Sequence, residues 1–198
     1  MRLVLASASP RRAELLKTAG FSFEVQPADV DETPRPAERP DAYALRVARD
    51  KASAVANRVG RGACVLAADT VVVSEGQILG KPESGGHARE MLSVLSGAVH
   101  EVLTAVVIRD GDREESEVVA TRVRFFPLSE AEIDWYVNSG EPDGKAGAYA
   151  IQGLGSRFVD WIEGSWSNVV GLPVATVYRM LGARGVLCSP KSSTVQDL

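Results

Sequence analysis

The run Cys64-Val65-Leu66-Ala67-Ala68-Asp69-Thr70-Val71-Val72-Val73 constrains the fold of this chain more than any other stretch. Its length and β-branched residues predict a central strand, covered on both faces so that its apolar side chains leave water. Asp69 sits in the middle of it. A carboxylate inside such a strand is costly unless it meets a cation, a hydrogen-bond donor or a metal. Capping a turn beside Thr70 is the structural alternative, and Val71-Val72-Val73 disfavours it because the strand continues. Asp69 is therefore read as a functional group near a crevice.

Around this strand, helices and strands interleave. Leu3-Val4-Leu5-Ala6 predicts a first buried strand, and Ala13, Leu15, Leu16 and Ala19 give the next helix an apolar stripe that stops at Gly20. Phe21, Phe23 and Val25 alternate as in a half-buried strand. The proline-rich stretch Pro27 to Pro40 predicts an irregular surface loop carrying Asp29, Asp31 and Glu32. A long helix is expected from an Asp41 cap to about Asn57, and Glu75-Gly76 reads as a hairpin turn into Gln77-Ile78-Leu79. A further helix is expected from Gly85 to Leu95, then a long hairpin, Val99 to Ile108 and Glu117 to Phe126, about Asp110-Gly111-Asp112. Ser129-Glu130-Ala131-Glu132 is a capping box opening a helix to Val137. A strand over Phe158 to Ile162 and a helix over Pro173 to Leu181 complete the order. Hairpins interrupt the α/β alternation, which predicts a mixed sheet flanked by helices. The polar stretch Ser189 to Leu198 has no apolar period and is expected to be a mobile tail.

Four segments outside the central strand carry candidate chemistry. In Ser7-Ala8-Ser9-Pro10-Arg11-Arg12, Pro10 suits the first helical position and Ser9 the cap before it. Free N–H groups of that helix end and two guanidinium forks would converge on a multiply charged anion such as a phosphate chain, although two arginines also suit a solvated helix face. Lys51 in its helix and Lys81 in Gly80-Lys81-Pro82 could join them or remain solvated. Gly76 to Lys81 is no P-loop: the spacing is one residue short, Pro82 replaces the Ser/Thr, and a hairpin precedes it. The segment Gly140 to Gly155 is glycine-rich, too apolar at Tyr149, Ile151 and Leu154 for a simple linker, and its Gln152 offers donor and acceptor to a base edge.

Composition excludes several classes. With 198 residues, 45% of them hydrophobic, the chain has ample core, and its net charge of -4 argues against nonspecific nucleic-acid binding. No apolar run approaches the roughly 20 residues of a membrane span, and the start lacks a signal peptide's apolar region. Cys64 and Cys188 are too few for a disulfide scaffold and have no metal-ligand spacing. Cys64 reads as a packed small hydrophobe, and His87 and His100 as structural or surface residues. The three tryptophans, Trp135, Trp161 and Trp166, are expected in the core. A cytoplasmic protein is the expectation.

Ser7-x-Ser9-Pro10-Arg11-Arg12, Asp31-Glu32, Lys51, Ala68-Asp69-Thr70, Gly80-Lys81-Pro82 and Lys145-Ala146-Gly147-Ala148-Tyr149 with Ile151-Gln152-Gly153 follow the order of the Maf family, which the chain resembles through about Leu187. No motif position departs from that pattern, and the text around Gln152 is similar to the branch acting on dTTP and UTP rather than 7-methyl-GTP. The resemblance implies a single Maf-like domain over 1–188. It also implies an elongated mixed sheet with two lobes around a central cleft (Maf/ITPase-like), a divalent metal (Mg²⁺ or Mn²⁺) and a homodimer. It implies a nucleoside triphosphate pyrophosphatase with Asp69 as proton acceptor, Lys81 and Glu32 assisting, and Glu32 and Asp69 at the metal. Ser7, Ser9, Arg11, Arg12, Lys51, Thr70, Lys145 and Gln152 would bind substrate, with Arg11, Thr70 and Gln152 matching positions of base choice. Whether Asp69 is base, metal ligand or both stays open, because an aspartate serves in either role. Two other functions fit parts of the pattern: a non-catalytic nucleotide-binding regulator of cell division, and a pyrophosphatase for noncanonical purine triphosphates.

Overall fold

The structure is a computed structural model that describes residues 1–186. The expected tail over 189–198 and Cys188 lie outside the described residues. Among the described residues seven strands form one sheet: β1 (Arg2–Leu5), β2 (Glu24–Val25), β3 (Ala63–Ser74), β4 (Gln77–Leu79), β5 (Val99–Asp110), β6 (Arg113–Phe125) and β7 (Val159–Glu163). Their order is β2-β1-β3-β5-β6-β7, with β4 also paired to β3. β1 runs parallel to β2 and β3, while the remaining pairs are antiparallel, so the sheet is mixed as expected.

Among the described residues six α-helices flank the sheet: α1 (Pro10–Thr18), α2 (Pro40–Val59), α3 (Gly85–Leu95), α4 (Glu130–Asn138), α5 (Trp166–Val170) and α6 (Val174–Gly182). The period of two along β3 divides the core. Val65, Ala67, Val71 and Val73 pack with Tyr43, Val47, Ala48 and Val55 of α2 on one face. On the other face, Cys64, Leu66 and Ala68 join Leu16 of α1 and Val177, Met180 and Leu181 of α6. Val72 joins a separate cluster there with Met91, Leu92 and Leu95 of α3 and Ile133 and Tyr136 of α4. That face thus carries two apolar lobes. No helix among the described residues is long and apolar enough to cross a membrane.

Local rules set most boundaries. The Ser84 hydroxyl accepts from the His87 N–H and starts α3, and Ser129 and Glu132 form a full capping box at α4. Three expectations need correction, and one element has no counterpart in the sequence pattern. Of the strand expected at Phe21, Phe23 and Val25, only Glu24–Val25 pairs with β1, because Phe21 is drawn into the cluster under α1 and α6. Asp41 does not cap α2: Arg39 holds that position and Pro40 the first turn, leaving Asp41 to face the positive helix end. The five-residue α5 is absent from the sequence reading, being too short to show a period. The tryptophans are not core. Trp135 and Trp166 are each 43% exposed, and Trp135 and Trp161 lie under the guanidinium groups of Arg157 and Arg122.

Candidate active site

β1 and β3 part company where the site begins. β1 pairs with β3 over Ala63 to Leu66, and β4 takes up the same edge only at Val72. Between them, residues 67–71 have no strand on that side, while β5 pairs continuously along the other. Asp69 and Thr70 are neighbours on a strand and so belong to opposite faces, Asp69 towards α2 and Thr70 towards α1 and α5. The open edge lets both line one cleft of about 880 Å³, within the range of small-ligand pockets. Ser7, Ser9, Arg11, Arg12, Glu32, Lys51, Lys81, Lys145 and Gln152 line it too, so every residue singled out from the sequence for chemistry meets at this place.

One wall is the turn from β1 into α1. Ser9 holds the cap position of α1, yet its side chain makes no capping bond; its N–H donates to the Ser7 Oγ at 3.2 Å. Pro10 has no N–H, so the first free helical donors belong to Arg11 and Arg12. Arg12 is folded back and held by neutral oxygens: its Nε donates to the Gly171 carbonyl (2.8 Å), Nη1 to Ser7 Oγ (3.3 Å) and Nη2 to Thr70 Oγ1 (3.0 Å). Burial pulls its pKa down, and Asp69 offsets part of that. No carboxylate among the described residues forms an ion pair with Arg12, so its charge stays available to an anion.

The opposite wall is ionic. The Lys51 ammonium, on α2, lies 2.7 Å from both Asp69 Oδ1 and Glu32 Oε1, and Lys81 Nζ lies 3.4 Å from Glu32 Oε2. Lys51 and Asp69 are 8% and 6% exposed, which makes this pair buried rather than a surface bridge. Burial raises the Asp69 pKa above the ordinary carboxylate value, with Lys51 and Arg12 working against the rise. Burial pushes Glu32 the same way, but Lys51 and Lys81 hold it below its usual value. The irregular loop delivers Glu32 because the Tyr43 hydroxyl donates to its carbonyl at 2.8 Å.

The third wall is the segment from Lys145 to Gln152. Gly147 (φ 66°) and Ala148 (φ 56°) are both left-handed, and the Gly147 N–H donates to the Gly80 carbonyl at 3.0 Å. A Cβ at Gly147 would stand 2.9 Å from the Val72 methyls, so only glycine brings this turn against β3. The turn carries Tyr149 into the cleft lining, its hydroxyl 2.8 Å from Nε2 of the buried His100. Lys145 has its pKa lowered by burial and by nearby Arg11. Gln152 is exposed on the cleft rim.

Support beneath Arg12 and Thr70 comes from residues that no sequence pattern singles out. Thr70 Oγ1 lies 3.0 Å from Thr104 Oγ1, which donates to the Asn168 carbonyl at 3.1 Å. The fully buried Asn168 amide in turn donates to Val102 O and Thr121 Oγ1. This stack joins α5 to β3, β5 and β6 across 98 residues of sequence from Thr70 to Asn168, and no local pattern announces it. The hydroxyl of Thr70, expected at base choice, is thereby engaged with Arg12 and Thr104. For a metal, no group of three or more His, Cys, Asp or Glu side chains is found among the described residues. The convergence of Glu32 and Asp69 on one cationic atom is nevertheless a donor set that suits Mg²⁺, which binds through one or two carboxylates plus substrate oxygens.

The family model described as Maf-like protein matches residues 2–184. A dTTP/UTP pyrophosphatase of Anaeromyxobacter sp. (strain Fw109-5) is 56% identical over 189 residues, covering 93% of this chain and 90% of that protein. One from Syntrophomonas wolfei is 54% identical (91% and 96% covered), and one from Myxococcus xanthus 53% (93% of each).

Proposed function

The chain belongs to the Maf family, and from that we propose that it is a dTTP/UTP pyrophosphatase, a hydrolase converting these triphosphates to the monophosphate and pyrophosphate. The observation that carries the reading in this chain is the cleft itself: a guanidinium held by neutral oxygens faces a buried carboxylate beside Lys51. Arg11, Arg12, Lys81, Lys145, the Ser9 hydroxyl and the first N–H groups of α1 bind the phosphate chain. Ser7 orients Arg12. Asp69 takes the proton of the water whose oxygen attacks the α-phosphorus; the bond from that phosphorus to the bridging oxygen breaks, and pyrophosphate leaves. Burial suits Asp69 to this role, since a raised pKa makes its carboxylate a stronger base. Lys51 keeps it ionised and, with Lys81, offsets charge gathering on the phosphates. Gln152 reads the pyrimidine edge from the rim, and Thr70 and Arg11 set base choice through the placement of the phosphates relative to it.

Glu32 and Asp69 would hold a divalent cation, Mg²⁺ or Mn²⁺, which supplies polarisation of the phosphoryl oxygens when bound. A homodimer in the cytoplasm belongs to the same reading, with sedimentation of the purified chain as the check on the dimer. The function is tested by a panel of the common and modified nucleoside triphosphates with Mg²⁺ and with Mn²⁺, scoring pyrophosphate and orthophosphate separately. Pyrophosphate release fastest from dTTP and UTP is expected. Preference for ITP or XTP, or a bound nucleotide that stays intact with metal present, overturns it.

A further inference from the structure

Gln152 projects from an arc, residues 150–155, whose backbone is anchored from outside the cleft. Glu141, three residues beyond the end of α4, places Oε1 2.9 Å from the Leu154 N–H and Oε2 2.9 Å from the Gly155 N–H. The same Oε2 accepts from the Tyr136 hydroxyl at 2.7 Å, and that hydroxyl accepts from the Ala150 N–H at 3.1 Å. One carboxylate and one phenol therefore fix the chain on both sides of Gln152. Gly153 lets the carboxylate come this close, because a Cβ there would collide with Glu141 Oε1. Tyr136 has no exposed surface and stands edge-on to Phe158 at 5.0 Å, so the anchor rests on the α3–α4 lobe. Burial works against ionisation of Glu141, but the Tyr136 hydroxyl and the two N–H groups keep its pKa below the usual value. Glu141 does not line the cleft.

We propose that Glu141 is a positioning residue for base selection, acting through Gln152 by fixing the arc that presents it. The proposal rests on the reading above, in which Gln152 meets the base. A side-chain amide offers both a donor and an acceptor, and uracil and cytosine present opposite donor and acceptor orders at their 3- and 4-positions. Telling them apart with one amide requires that its place be set to within hydrogen-bond geometry. A mobile arc would let the amide satisfy either edge, and discrimination would fall more than turnover.

The test measures kcat and KM for UTP and CTP in the parent, Glu141→Gln, Gln152→Ala and the double variant, together with the inhibition constant of inorganic tripolyphosphate as a base-free probe. An amide at 141 keeps the shape but replaces one acceptor oxygen by a donor that opposes a backbone N–H. The UTP-over-CTP ratio of kcat/KM is expected to fall about tenfold in Glu141→Gln, with the tripolyphosphate constant unchanged. Gln152→Ala is expected to fall at least as far, and the double variant no further. A parental ratio in Glu141→Gln, with the ratio lost in Gln152→Ala, overturns the role of Glu141 alone. A parental ratio in Gln152→Ala overturns the base-reading role of Gln152 and this inference with it. Additive losses in the double variant, or a shifted tripolyphosphate constant, mean that Glu141 serves the fold generally and also overturn it. Should Glu141→Gln fail to fold, Tyr136→Phe carries the same test: a lowered ratio supports the proposal and a parental one refutes it.

Discussion

The two walls of the cleft hold their cations by opposite means. Arg12 is fixed by a carbonyl and two hydroxyls, none of them charged, while Lys51 and Lys81 face the carboxylates of Glu32 and Asp69. Neutral acceptors orient a guanidinium without cancelling its charge, so the first wall keeps a net positive group for the phosphate chain of the proposed substrate. The second wall is balanced, two cations against two carboxylates, and the proposed reading gives it the proton transfer at Asp69. On the proposed reading, the phosphate grip of Arg12 and the proton transfer at Asp69 stand about the width of one strand apart, with Thr70 on one side and Asp69 on the other.

That division is broken first at Asp69. Asp69→Asn should lower kcat for dTTP by about 10²–10⁴, the usual worth of a general base, while nucleotide binding by calorimetry persists. A parental rate would remove Asp69 from the chemistry. Lys51→Met is expected to lose activity and also about 3 kcal/mol of stability in urea unfolding, because it leaves a buried carboxylate without its partner. If stability were unchanged, the two walls would not differ as described.

A buried titratable group with no charge partner gives a third case. His100 is 1% exposed, its Nδ1 has no hydrogen bond, and burial pushes its pKa down to about 4 from 6.5. The unfolded chain therefore binds the proton more readily. The stabilisation from keeping His100 neutral is complete above about pH 6.5 and is lost as pH falls towards 4, about 3 kcal/mol in all. Unfolding midpoints across that window should fall more steeply in the parent than in His100→Gln; parallel curves would contradict the assignment. The smallest effect is expected at Arg12→Lys. An ammonium cannot bond Gly171, Ser7 and Thr70 in the guanidinium's fixed fork, so KM for dTTP should rise about tenfold with kcat changed less. A larger loss in kcat than in KM would place Arg12 in the chemical step.

Legibility in the sequence followed the range of the physics. Gly85–Leu95 has its expected ends because Ser84 caps its own helix three residues on, and the Ser129–Glu132 box is equally local. Asp69 was found because a charge inside an apolar strand is costly wherever the strand lies. Phe21, the tryptophans and α5 were misplaced or missed because their positions depend on partners far along the chain: the α1–α6 cluster, Arg122 and Arg157, and the Thr70–Thr104–Asn168 stack.

The amino-acid sequence by itself determined that a carboxylate at Asp69 is costly to bury and must be answered, and the order of motifs that identifies the family. Only the tertiary structure decided that Asp69 and Thr70, on opposite faces of one strand, line a single cleft. The reason is the unpaired edge between Leu66 and Val72, a property of where β1 ends and β4 begins rather than of any residue in β3.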